Sequence, residues 1–386
     1  MARFRFRTTP RIEAGPGAIG DIGAICTDLG IRHVALVSDE GVIGAGLVEP
    51  ARAALSEAGV AVFTWSDVKA DPPEADVLAA VAAARGAGVD GVLGLGGGSP
   101  MDTAKLVALF LGSDQPIAEA YGVGNARGTR VPLVLVPTTA GTGSEVTPIA
   151  IVTTGAAEKK GVVAPQLMPD VAVLDAALTT GLPRHVTAAT GIDAMVHAIE
   201  AFTSRHAKNP VSDCLAREAL GLLGRHIRTA CDTPEDLEAR QGMLLGACLA
   251  GMAFANAPVA AVHALAYPLG GHFHMPHGLS NAVVLPHVLA YNRAEPAAER
   301  AYAEIAPIVF PALTGQDPAL TVDGFIEEMG ALGPDLGLSV ALSEHGVGHN
   351  HLPMLAEDAM KQTRLLVNNP REMTLDAARE IYERAL

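Results

Sequence analysis

Aromatic side chains are scarce in this chain of 386 residues, at 4% with a single tryptophan, and alanine and glycine take their place. That balance suits tightly packed helices and nucleotide loops. Basic residues are outnumbered, 27 against 42 acidic, for a net charge of −15. Such a field repels phosphate backbones, so nucleic acid is excluded as a partner. The four cysteines, Cys26, Cys214, Cys231 and Cys248, show no close pairing and no metal-type spacing. A disulfide framework is thereby excluded, and a reduced, intracellular protein is expected. "MARFRFRTTP" has basic residues without a following apolar core, so it does not read as a signal peptide. The most hydrophobic stretch, Met243 to Val262, carries Asn256 and Pro258 and runs into His263. Its small residues suit close helix packing, and it reads as a core helix rather than a membrane span.

With 49% hydrophobic residues the chain has ample material for two packed domains. Strand and helix signals alternate through the first half. "HVALVSD", "VAVFTW", "GVLGLGGGS" and "VPLVLVPTT" are short apolar strands, and between them lie the helical "VEPARAALSEAG", "PEADVLAAVAAARGAG" and "SPMDTAKLVALFLG". That alternation predicts a parallel sheet covered on both faces. Beyond about Leu182 the strand signals stop and helical periodicity continues to the end. The expected division is an α/β domain over 1–182 and an all-helical domain over 183–386, with a ligand favoured in the cleft between them.

Two loops carry nucleotide chemistry. "GLGGGSPMDTAK" (Gly94–Lys105) follows a strand and opens a helix, the arrangement that aims backbone N–H groups at a phosphate. Ser99 is placed to cap the helix, with Pro100 in its first turn and Asp102 completing a capping box. The stretch is not the dinucleotide fingerprint G-x-G-x-x-G, because Ser99 stands where the third glycine belongs. "PTTAGTGSEVT" (Pro137–Thr147) also follows a strand and is dense in glycine and hydroxyl groups. Asp39 ends the first of the four strands. There it is either a turn residue or an acceptor for an adenosine ribose that repels a 2′-phosphate.

"GIDAMVHAIEAF" (Gly191–Phe202) is apolar nearly all round, yet Asp193 and His197 lie four apart on one face. "HALAYPLGGHFHMPHG" adds His263, His272, His274 and His277 at the end of the most apolar helix. A carboxylate with two or three imidazoles is a divalent transition-metal set, suited to Fe²⁺ or Zn²⁺ rather than Mg²⁺. His345, His349 and His351 in "HGVGHNH" sit in a polar, loop-like setting and read as surface.

On "GGGSPMDTAK", "PTTAGTGSEVT", "AATGIDAMVHAIEAFTS", "PHGLSNAVVLPHV" and "NNPREMT", in that order, the chain resembles the iron-containing (group III) alcohol dehydrogenase family over nearly its full length. The resemblance implies metal ligands at Asp193, His197, His263 and His277, with Fe²⁺ favoured over Zn²⁺. It implies NAD contacts at Asp39, Gly97, Gly98, Ser99, Asp102, Thr138, Thr139, Thr147, Lys160 and Leu178. It also implies a dinucleotide-binding N-terminal domain, a helical metal-binding C-terminal domain of dehydroquinate synthase-like architecture, and a cytoplasmic homodimer. One departure stands out: many members carry a second histidine four residues after the third ligand, and here that place is Tyr267.

The expected chemistry is hydride transfer between an alcohol and NAD, with the metal acting as a Lewis acid on the substrate oxygen. Phe254, Ile149 and Ile151 are candidates for the substrate pocket and equally for plain core. Maleylacetate reduction and hydroxyacid–oxoacid transhydrogenation are alternatives within the family. A lyase like dehydroquinate synthase is the alternative from another class. That chemistry handles a polyanionic substrate, and no added Lys/Arg cluster surrounds the ligand motifs. Finally, "RFRFRT" alternates with period two and is expected to form an edge strand, plausibly across a dimer interface.

Overall fold

The computed structural model describes residues 3–155 and 158–386. The chain divides into two compact units: Thr8–Gly181, and Leu182–Leu386 together with the N-terminal residues through Arg7.

Among the described residues the first unit holds nine strands: β1 (Arg11–Ala14), β2 (His33–Val37), β3 (Ala61–Trp65), β4 (Gly91–Gly96), β5 (Gly122–Val123), β6 (Leu133–Pro137), β7 (Ile149–Thr154), β8 (Glu158–Val163) and β9 (Val171–Leu174). Six of them make an all-parallel sheet in the order β1-β9-β6-β4-β2-β3. Every residue of β4 and β6 is buried, which is why both read as unbroken apolar runs rather than alternating ones. The chain leaves β2 toward β3 and then crosses back to β4 on the other side of β2. The crossing makes the β2/β4 edge a topological switch point, where ligands collect at the carboxyl ends of strands in such sheets. A smaller sheet, β5-β8-β7, contains the antiparallel β7–β8 hairpin.

Helix α1 (Gly98–Leu111) follows β4 directly. Its start differs from the sequence expectation. Gly97 is the N-cap and no side chain caps the helix. Ser99 Oγ instead accepts the Asp71 N–H, and both oxygens of Asp102 are engaged elsewhere, so the capping box does not form. The turn into α1 needs glycine. Gly96 has φ +153°, and a Cβ there would stand 2.6 Å from Pro100 Cγ.

Among the described residues the second unit holds helices and no strand. Helix α2 (Arg184–Phe202) is buried along most of its length and packs with α3 (Pro210–Asp232) and α4 (Leu237–Phe254). Helices α5 (Ala261–Phe273) and α6 (His277–Asn292) follow, and α6 lies against α2. A helix apolar on every side belongs in a protein interior. No helix among the described residues is long and apolar enough to cross a membrane. Arg3–Thr8 forms no strand. Its backbone is tied down by the Asn256 side chain, which accepts from Arg7 N–H and donates to Arg7 C=O, each at 2.8 Å. The period-two pattern therefore joins no sheet among the described residues. None of the four cysteines forms a disulfide.

Candidate active site and metal centre

In the first unit, strand register places the loops. Gly96 pairs with Pro137 at the ends of β4 and β6, and Thr138 N–H donates to Gly96 C=O at 2.9 Å. The two glycine-containing loops therefore emerge side by side at one carboxyl edge. A Cβ on Gly97 would lie 3.7 Å from Thr139 Oγ1 and one on Gly98 3.0 Å from Thr142 Cγ2. Asp39 follows β2 at the same edge. Its Oδ1 accepts the Val42 N–H at 2.8 Å, capping the short Glu40–Gly44 helix, while Oδ2 stands 3.6 Å from the Cβ position of Gly96. The residue is thus a turn cap with its second oxygen beside the first glycine loop.

Other predicted nucleotide contacts hold the loops together. Asp102 Oδ1 accepts from Ser144 Oγ at 2.6 Å, and Oδ2 accepts the Ile151 N–H at 2.9 Å. Lys105, to which sequence reasoning gave no role, is fully buried and ties down the second loop. Its Nζ donates to Ser144 Oγ (2.7 Å), Thr147 Oγ1 (3.2 Å) and Ile149 C=O (2.7 Å). Burial lowers this ammonium to about 8, against the opposing pull of Asp102 and Glu145. Burial likewise raises Glu145 to about 7, the Lys105 charge resisting. Thr138 and Thr147 are buried; Gly97, Gly98, Ser99 and Thr139 are partly exposed. Lys160 on β8 pairs with Glu158 at 3.3 Å and lies over the Tyr121 ring. Leu178 is buried in the core beneath β9. Ile149 and Ile151 are half-buried on β7.

In the second unit, α2 presents Asp193 and His197 one turn apart, α5 brings His263 and α6 begins with His277. The Nε2 atoms of His263 and His277 each lie 3.7 Å from Asp193 Oδ1, and that of His197 lies at 3.9 Å. Asp193, His197 and His263 are buried, and His277 is half-buried. Burial pushes the Asp193 carboxyl up, but His197, His277 and His263 and the Asn281 hydrogen bond outweigh it, leaving it below the usual carboxylate range. Phe254 stacks on the His197 ring at 4.3 Å, and His197 stacks on His263 at 4.7 Å. Phe254 therefore packs the ligand face rather than distant core. The Tyr267 ring lies 5.9 Å from that of His277.

The donor set fits a divalent ion. Ligands at 2.0–2.2 Å around a tetrahedral metal stand about 3.3–3.5 Å apart. The three aspartate–imidazole spacings are within about half an ångström of that, while the mutual grouping of donor atoms does not include His197. Asp193, His263 and His277 bring their donor atoms within 4.8 Å of one another. One oxygen with imidazole nitrogens selects iron or zinc over magnesium. His272 pairs with Asp358 at 2.6 Å, and exposed His274 caps α5 in the left-handed conformation. His345 reaches Ser339 C=O, and His351 accepts the Gly348 N–H. None of these joins the cluster.

Two residues that sequence reasoning passed over complete it. Asn281 Nδ2 donates to Asp193 Oδ1 at 2.6 Å and stands 3.4 Å from Nε2 of both His263 and His277. Its position four after His277 was a readable signal. Glu200 is buried and lies 2.7 Å from His263 Nδ1. It stands seven residues after Asp193, two helical turns along the same face.

A parallel sheet with glycine loops at its switch point, and a buried aspartate–histidine cluster on helices, are the parts of a metal-dependent oxidoreductase that uses a dinucleotide. Residues 9–176 match the family model for iron-containing alcohol dehydrogenases, and residues 187–386 match that for the C-terminal part of the same family. The chain belongs to the iron-containing alcohol dehydrogenase family. It is 40% identical to long-chain-alcohol dehydrogenase 1 of Geobacillus thermodenitrificans, covering all of this chain and 97% of that one. A crystal structure of a 1,3-propanediol oxidoreductase superposes with a TM-score of 0.96 at 34% identity, covering 100% of both chains. The sulfoacetaldehyde reductase of Bifidobacterium kashiwanohense, solved in complex with NAD⁺, gives a TM-score of 0.89 at 27% identity, covering 100% of this chain and 99% of that one. The chain is accordingly an NAD-dependent, metal-containing alcohol dehydrogenase by family. The maleylacetate, transhydrogenase and lyase alternatives are not favoured.

Proposed function

We propose that the protein interconverts a small uncharged alcohol and its aldehyde or ketone, with Asp193, His197, His263 and His277 holding one divalent ion. The observation that carries this reading is the convergence of three imidazole nitrogens within 3.9 Å of Asp193 Oδ1. When bound, the ion supplies Lewis acidity to the substrate oxygen and NAD supplies the hydride acceptor or donor. Fe²⁺ is the assigned metal, and Zn²⁺ accepts the same donors.

The chain's own groups do the rest. Residues 1–182 bind the dinucleotide. N–H groups at the start of α1 face its phosphates, Thr138 and Thr139 offer neutral hydroxyls, and Asp39 accepts from the ribose. Lys160 and Leu178 flank the same cofactor. Residues 183–386 supply the metal ligands and the apolar surroundings that exclude water. Phe254 bounds the substrate beside His197, and Tyr267 shapes the site beside His277.

Uncharged substrates are favoured because the ligand segments "GIDAMVHAIEAF" and "HALAYPLGGHFHMPHG" contain no lysine or arginine to neutralise a second anionic group. The relatives named above span long-chain alcohols, 1,3-propanediol and a sulfonated aldehyde. The setting that goes with this reading is a cytoplasmic homodimer, in keeping with cysteines that form no disulfide. The deciding experiment follows NADH formation by metal-loaded enzyme on a panel of primary alcohols, diols and hydroxy acids. Stoichiometric NADH with at least one simple alcohol, abolished by chelation, is the expected result. Activity on hydroxy acids alone would overturn it.

A further inference from the structure

The ligand cluster rests on an anion one layer further out. Glu200 sits near the end of α2 and is 4% exposed. Its Oε1 accepts the Val262 N–H at 2.7 Å, and its Oε2 accepts the Ala260 N–H at 2.9 Å and lies 2.7 Å from His263 Nδ1. Three donors therefore converge on one buried side chain, and all three come from the turn that opens α5.

That turn cannot satisfy itself. Ala260 is the N-cap of α5, has φ −137° and ψ −128°, and offers no side-chain acceptor. The first N–H groups of a helix have no partner within it and usually take a capping side chain. Here the cap comes from another helix, and a negative charge at that end also complements the helix dipole. The same carboxylate decides the state of His263. Each oxygen of this side chain already accepts a backbone N–H, and the same accepting role toward the ring at 2.7 Å places Nδ1–H against it. In a neutral imidazole that leaves the lone pair on Nε2, the atom that faces Asp193 at 3.7 Å.

We propose that Glu200 is the positioning residue of the metal centre, fixing the Nδ1–H tautomer of His263 and anchoring the start of the helix that carries it. The inference rests on the metal reading above, and it concerns a residue that touches neither substrate nor ion. Outer carboxylates of this kind orient a ligating imidazole and raise its basicity, and their loss costs about 10–100-fold in metal affinity. Glu200→Gln keeps the shape but puts an NH₂ where one acceptor oxygen stood. At least one of the three donors then meets another donor: Val262 N–H if the NH₂ takes the place of Oε1, or Ala260 N–H and His263 Nδ1–H if it takes that of Oε2.

The test has two readings. In metal-free wild-type protein, ¹⁵N NMR of histidine side chains, assigned with His263→Ala, is expected to show the His263 proton on Nδ1. A proton on Nε2 overturns the proposal, and this reading needs no mutant of Glu200 to fold. Zn²⁺ affinity is then measured by chelator competition on metal-free wild-type and Glu200→Gln protein. The expected result is about a 10–100-fold weaker Kd with one ion still bound per chain. Equal affinities overturn the role of Glu200 while leaving the metal site standing. A wild-type protein that takes up no Zn²⁺ overturns the metal reading and the Glu200 proposal together.

Discussion

Gly278 lies directly against the backbone of Ala189: a Cβ added at Gly278 would stand 2.4 Å from the Ala189 carbonyl oxygen. The glycine allows α6 to approach α2 closely, and the residue before it, His277, thereby comes within 3.7 Å of Asp193 Oδ1. Backbone cannot yield as a flexible side chain can, so Gly278→Ala should push the helices apart. We expect a stability loss of roughly 1–3 kcal/mol, the range for overpacking a tight contact. Metal affinity should fall in parallel. Thermal unfolding and metal titration check both, and an unchanged metal affinity would mean that this contact does not set the position of His277.

His263→Ala should lose most of the bound metal, because three remaining donors with one gap hold a divalent ion poorly. His274→Asn is the control. His274 is exposed and has φ +53° at the end of α5, a conformation that asparagine tolerates. Metal content by elemental analysis should stay near one ion per chain in the control and drop in His263→Ala. Equal metal content in the two variants would remove His263 from the ligand set.

Asp39 joins two roles that substitution can separate. It caps the Glu40–Gly44 helix through Val42 and leaves Oδ2 beside the first glycine loop. Asp39→Asn keeps a capping oxygen and removes the charge; Asp39→Gly removes both. Both variants should narrow the preference for NAD over NADP by about tenfold or more, as loss of one close charge repulsion implies. The capping loss on glycine substitution is only a few tenths of a kcal/mol. Wild-type enzyme that used the two cofactors equally would show that Asp39 does not read the ribose.

Glu145 makes a pH prediction with a definite sign. Burial raises its folded-state pKa from an ordinary 4.5 to about 7. The folded chain therefore binds more protons than the unfolded chain between those values. Its contribution to stability is present below 4.5 and is lost as pH rises through 7. The span corresponds to on the order of 3 kcal/mol. Glu145→Gln should flatten that stretch of the stability–pH curve and stabilise the protein above pH 7. Denaturant unfolding at several pH values measures it, and an identical slope in the variant would refute the assignment.

The sheet was legible where strands are buried on both faces. β4 and β6 are apolar throughout and β2 is apolar after His33, and a run as short as "LVLVP" between turn residues suits a buried strand. The β7–β8 hairpin was not read, because Ile149–Thr154 alternates between buried and half-buried positions and Glu158–Lys160 are polar. In the site, Asp193 with His197 stood out as polar residues in an apolar helix. Glu200, on the same helix, did not, because a glutamate near a helix end ordinarily faces water. Its meaning lies in the turn at Ala260–Val262, sixty residues later, whose unsatisfied N–H groups no local pattern announces. Lys105 was hidden for a similar reason: its partners Ser144 and Thr147 come from the second loop and Ile149 from β7. The capping box at Ser99 failed because Asp102 found stronger partners at long range.

Tyr267 stands four residues after His263, and its ring lies 5.9 Å from that of His277. A histidine there offers a base near neutral pH. A tyrosine hydroxyl ordinarily ionises near 10, so acting as a resting base at neutral pH takes a shift of roughly three units, about 4 kcal/mol. A true general base contributes about 10²–10⁴-fold to the rate. If Tyr267 fills space and donates a hydrogen bond while the proton leaves through cofactor hydroxyls and water, its hydroxyl carries far less. Tyr267→Phe is therefore expected to reduce kcat/KM by about tenfold or less, with metal content and NAD affinity unchanged. Tyr267→His introduces such a base and should move the alkaline or acid limb of the pH–rate profile toward neutrality, since an imidazole titrates near 6.5. A hundredfold loss in Tyr267→Phe, with metal and cofactor still bound, would instead make the phenol the proton-transfer group.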